Sequence, residues 1–364
     1  MNPQHQHELK TGLLRGLVWV ILAFVLLLVL NFANSAVAAK PVDRSDMLFP
    51  YYEVTEVLNS VATHHHAKDS AVLSDQLDAL SVATAQYCKT DGKTLPANMQ
   101  QLQAQYAKAY LAWLELSAVV MGPMLDNNTV RQIDFRPLRL NLLERAIKKQ
   151  PQGAQAMALI GSPAKGFPAL EYLLTQNDFK SGTPQCNYAH EVVLDIARTV
   201  AGLKWDDAQA LGAGMQLYFN QLVGATHNLA WERMEKPLLK NKDEAGANAG
   251  HWPFSEFHLT EKVWAAQWQG IEHLLMVTSQ TVPQANTQVI PLEAYLRGLG
   301  KIELADTLVN YSSAVSVAMR SNDITKPASV EQSVKALKVL KGFLESEVAK
   351  GLKVSIQFSS SDGD

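Results

Sequence analysis

Apolar residues recur every three or four positions over long stretches of this chain. From Pro96 onward, Leu102, Tyr106, Ala109, Trp113, Leu116 and Val120 share one face of a helix. The same period predicts helices over about 54–88, 138–149, 187–203, 207–239, 255–277, 291–298, 301–320 and 329–352. Alternating β-branched runs are scarce, and Leu, Ala, Val and Gln dominate, a composition that suits helices. Asp91-Gly92-Lys93, Gly122-Pro123 and the polar stretches 176–184 and 240–250 mark turns between the runs. The pattern predicts an all-α protein of two fused antiparallel helical bundles, 40–205 and 206–364, with the boundary near Lys204-Trp205-Asp206.

One short run carries candidate chemistry: Gly166-Phe167-Pro168-Ala169-Leu170-Glu171-Tyr172-Leu173-Leu174. Pro168 fits the first turn of a helix, where a missing N–H costs nothing. Glu171 falls in that turn or just past it, where the helix dipole favours negative charge. Leu170, Leu173 and Leu174 lie at core spacing. Glu171 is the functional candidate and Tyr172 its hydrogen-bonding neighbour; a helix start whose acid only satisfies the dipole is the alternative. The stretch Ile271-Glu272-His273-Leu274-Leu275 echoes Leu170 to Leu174 further on. Glu272 and His273 would diverge by about 100° on a helix, so only one can face a shared site. His64-His65-His66 would point in three directions from a helix, and all three are expected in solvent.

The 364 residues, 47% apolar, suffice for one large or two medium domains. A net charge of −3 is too close to neutral to suggest nucleic acid or an anionic surface as a partner. Lys10 and Arg15 precede the apolar run Leu17 to Phe32, and Ala36-Val37-Ala38-Ala39 offers small residues for cleavage. Residues 1–39 therefore read as an export signal, or as an uncleaved anchor that would be the chain's one membrane contact. Cys88 and Cys186 are the two cysteines; an exported chain favours their joining. A bridge closing a loop of about 100 residues contributes up to about 4.7 kcal/mol in the chain-entropy account.

Gly166, Glu171 and Tyr172-Leu173-Leu174 resemble the signature of the imelysin-like family of bacterial envelope proteins, also described as iron-regulated proteins. That signature reads Gly-x-His-x-x-Glu before Tyr-Leu-Leu; here Pro168 stands in place of the histidine. A periplasmic and lipoprotein subgroup is similar over more of the chain. It shares Ala112-Trp113, Gly122-Pro123, the series Arg131, Ile133, Phe135 and Pro137, and the ending Phe358 with Asp362-Gly363-Asp364. Where the subgroup has Trp-Pro-Asp, this chain has Arg136-Pro137-Leu138, without the acid. No cysteine stands near the cleavage residues, so a lipid anchor is not expected. The resemblance spans from about residue 50 to the end. It implies a periplasmic protein of duplicated helical bundles that meets a small ligand or a metal ion, iron or another divalent cation, and other envelope proteins.

Two functions follow from it: a non-enzymatic binding protein linked to iron acquisition, or a metal-dependent peptidase. A metallopeptidase needs several N or O ligands and a general base. At the signature this chain supplies Glu171 alone. His258-x-x-Glu261 and His5-x-x-Glu8 repeat the spacing, the second of them before the export segment and so by accident. No phosphate loop, serine elbow or zinc-type cysteine spacing occurs. The expected site gathers Glu171, Tyr172, Arg131, Asp362 and Asp364 between the bundles, with Arg131 as the guanidinium partner of Glu171.

Overall fold

The structure, a computed structural model, describes residues 44, 47–89, 96–205, 214–243 and 252–356. Helices dominate and no strand occurs among the described residues. They include α1 (Val54–Val61), α2 (Ala67–Lys89), α3 (Pro96–Leu116), α4 (Phe167–Thr175), α5 (Pro184–Ala201), α6 (Gly214–Asn228), α7 (Lys236–Asp243), α8 (Thr260–Leu275), α9 (Ile302–Arg320) and α10 (Pro327–Phe343). Three wider π-helical turns continue them: Ala62–His66 between α1 and α2, Leu229–Glu235 between α6 and α7, and Leu344–Val348 after α10.

Packing follows the apolar faces. Helices α2, α3, α4 and α5 pack together in the first half; α6, α8, α9 and α10 do so in the second. Helix α8 lies along α3, and α6 touches α1, so one apolar core runs through both groups. Gly270 is what lets α8 approach: a Cβ there would stand 2.4 Å from the Glu115 carbonyl oxygen and 2.7 Å from Ala118 Cβ. The expected boundary near Lys204-Trp205-Asp206 lies partly outside the described residues; Trp205, which is described, is buried.

Cys88 and Cys186 are bonded, with their Cα atoms 5.6 Å apart and a sequence separation of 98. Cys186 sits in the first turn of α5, where the Thr183 hydroxyl accepts from its N–H. The bridge therefore staples the end of α2 to the start of α5.

The histidine expectation is corrected. His65 and His66 are fully buried, and only His64 keeps partial access to solvent. The π turn that holds them is wrapped on more than one side: His66 stacks on Trp205 with ring centroids 4.7 Å apart, while His65 meets His273 of α8. The echo stretch behaves as expected at its two polar positions. Glu272 accepts from the Ser316 hydroxyl, and His273 faces the other way toward His65.

Candidate functional site

Glu171 leaves α4 in its second turn and meets a guanidinium, and that guanidinium belongs to Arg136. The Arg136 Nη2 atom lies 2.8 Å from Glu171 Oε2. Its Nε donates to Asp134 Oδ1 at 3.0 Å, and its Nη2 donates to the Tyr110 hydroxyl at 3.1 Å. Asp134, with 3% of its side chain exposed, also accepts from Trp113 Nε1 at 3.3 Å and Tyr110 at 3.4 Å. Arg233, from the π turn of the second half, brings Nη2 to 3.9 Å from the same carboxylate. The Arg233 backbone is held in turn by Trp264 Nε1 of α8, which donates to its carbonyl at 2.9 Å.

Local sequence explains the assembly. Gly166 precedes α4 at φ +80°, and a Cβ on it would fall 2.4 Å from the Ile133 carbonyl oxygen. Only glycine allows the start of α4 to lie on the residue before Asp134. Pro168 occupies the first turn of α4 as expected, and Gly122-Pro123 begins the short helix Pro123–Asp126 in the same manner. Aromatic rings close the cluster. Phe167 packs on Tyr110 and Tyr106, while Phe254 and Phe257 of the second half face Tyr110 and Tyr106 at 5.2 Å. The Arg136 guanidinium lies 4.7 Å from the centre of the Phe254 ring.

Burial raises the Glu171 carboxyl above its ordinary value, and the Arg136 charge pulls against that shift. Burial works against the Arg136 charge as well; Tyr110, Asp134 and Glu171 outweigh it and hold the guanidinium firmly charged. Burial, then Asp134, pushes the Tyr110 hydroxyl up to about 12. Two carboxylates and two guanidiniums thus neutralise each other among aromatic walls.

Two expectations for this site are corrected. Arg131 is exposed and lies over the Phe135 ring, 5.6 Å from its centre, so it is not the partner of Glu171. The acid missing at Leu138 is not a vacancy either, since Asp134 brings a carboxylate from the same loop, while Leu138 packs on the core. Tyr172 is half-buried against the core, with its carbonyl accepting from Thr175 and Gln176. Asp362 and Asp364 lie outside the described residues. His258 is exposed and ends a short turn two residues before α8, and Glu261 accepts from the Ile324 N–H.

A metal ion does not fit the arrangement. Its carboxylate oxygens already face Arg136, and the Pro168 side chain offers no ligand atom three positions before Glu171. Among the described residues, no three His, Cys, Asp or Glu side chains stand placed to hold a metal ion.

The class this defines is an all-α protein whose polar cluster lies on the seam of its two helical groups. The Imelysin family model matches residues 62–323. The chain belongs to the imelysin family. Two solved structures share its fold. An imelysin-like protein from Psychrobacter arcticus 273-4 is 18% identical, with a TM-score of 0.69 over 86% of this chain and 100% of that one. A structure assigned as an iron-regulated protein A precursor from Parabacteroides distasonis ATCC 8503 is 12% identical, with a TM-score of 0.63 over 85% of this chain and 95% of that one. Comparison with curated proteins gives no match.

Proposed function

We propose that this chain is an exported, periplasmic binding protein without peptidase activity, linked to metal acquisition, and that it meets its ligand or an envelope partner at the Glu171 cluster. The observation that carries the reading is the pairing of Arg136 with both Glu171 and Asp134. A hydrolytic metal centre keeps an open coordination position and ligands free to take the ion. Here both carboxylates are engaged by a guanidinium, which suits recognition of polar or charged groups instead. The link to iron rests on the iron-regulated description of the Parabacteroides relative. Export rests on the charged and apolar pattern of residues 1–39. No described helix is long and apolar enough to cross a membrane.

The test is a cleavage assay with purified residues 40–364, peptide substrates, and zinc or iron added. The expected result is no chelator-sensitive hydrolysis. Hydrolysis that disappears in Glu171→Ala would overturn the reading and make the chain a metal-dependent peptidase.

A further inference from the structure

A second polar site lies away from Glu171. A cleft of about 430 Å³ opens between the π turn with the start of α2 and the segment after α8. Its polar lining includes Thr63, His64, Lys68, His273, Thr278 and Ser279, and no Asp or Glu lines it. Lys68 has no carboxylate partner among the described residues and is exposed. The formal charge in this cleft is therefore positive.

Beneath it, a partly buried relay sets the state of His273. Asp69 Oδ2 lies 3.0 Å from His65 Nδ1, and His65 Nδ1 lies 3.4 Å from His273 Nδ1. A carboxylate accepts only, so the proton belongs on His65 Nδ1. That proton serves Asp69, and His273 Nδ1, facing a nitrogen that already carries one, stays bare, so the neutral ring holds its own proton on Nε2. With Nδ1 turned inward to His65, the Nε2 edge is the one left to the cleft. The relay thus leaves a donor where the lining is already cationic. A π turn at this place agrees with the frequent use of such turns at functional sites.

We propose that this cleft binds a small oxyanion, a phosphate or a carboxylate, between the Lys68 ammonium, the His273 ring N–H and His64. Burial, and then His65, hold the His273 pKa below its ordinary value; Asp69 opposes them and Lys68 adds to them. The anion is therefore met by the neutral His273 ring through its N–H and by the Lys68 ammonium.

Calorimetric titration of residues 40–364 with inorganic phosphate, and separately with citrate, tests this at low ionic strength. One site is expected at pH 8, where the His273 ring is neutral and both anions are fully charged. Phosphate binding alone identifies a phosphate site, and citrate binding alone a carboxylate site. Lys68→Gln and His273→Gln should each weaken binding about tenfold or more, a loss of about 1.4 kcal/mol. Lys335→Gln, an exposed lysine on α10, controls for general charge and should change little. Absence of binding by both anions would overturn the proposal. So would equal weakening in all three variants.

Discussion

Arg136 is the residue on which the candidate site turns. Removing it in Arg136→Gln leaves Asp134 buried without its closest cation. Breaking a buried pair from one side is costly; with a third of the Arg136 side chain exposed, about 3 kcal/mol is expected in urea denaturation. Arg131→Ala should stay within about 0.5 kcal/mol, as surface changes do. Glu115 gives a pH prediction. Burial, then Asp69, pushes its carboxyl up from the ordinary 4.5 to about 7. The native state therefore holds a proton that the unfolded chain releases between those values, and stability from this group is full below pH 4.5 and lost as pH rises through 7. Glu115→Gln should match the native protein's melting temperature at pH 4.5 and exceed it at pH 8. Glu171 and its helix start were legible in the sequence, because Pro168 and the leucine spacing fix them. Its partner was not, because Arg136 comes from an irregular loop where helical spacing says nothing. The residue before a proline is pushed to extended geometry, the one signal that could have drawn attention to Arg136. His65 and His66 were misjudged because period rules place residues around a helix without saying how many neighbours surround it.

At the scale of elements, the apolar period located the helices and the prolines could have fixed their starts more closely. Helices α5 and α10 begin at Pro184 and Pro327, two or three residues before the periodic runs suggest. The rule that Pro suits a first turn, applied to Pro96 and Pro168, holds for these as well. The π turns left no trace in the periodicity, since one wider turn shifts the phase by less than a window can resolve. Yet one of them presents Arg233 to Asp134 and another presents His65 to His273. Close approach of helices was equally hidden. Gly270→Ala should cost about 1–3 kcal/mol, because its Cβ would strike the backbone of α3 rather than a side chain that can turn away. A chemical denaturation curve checks this, and an unchanged midpoint would mean that α8 and α3 can part without loss.

For the whole molecule, the all-α class and the disulfide were legible from period and cysteine count, whereas the merging of two helical groups into one core was not. That core predicts a single calorimetric transition for residues 40–364, with no separate melting of the two halves. Loss of the Cys88–Cys186 bridge in a double Ser variant should lower stability by about 2–4 kcal/mol, and thiol counting on unreduced, unfolded protein should find none. The central claim is that Glu171 serves a guanidinium-held recognition cluster and not a metal centre. Titration of the purified chain with Zn²⁺ and with Fe²⁺, in competition with a chromophoric chelator, tests it most directly. The account predicts that the native protein and Glu171→Gln take up the same amount of each ion. One equivalent bound by the native protein and lost in Glu171→Gln would contradict it.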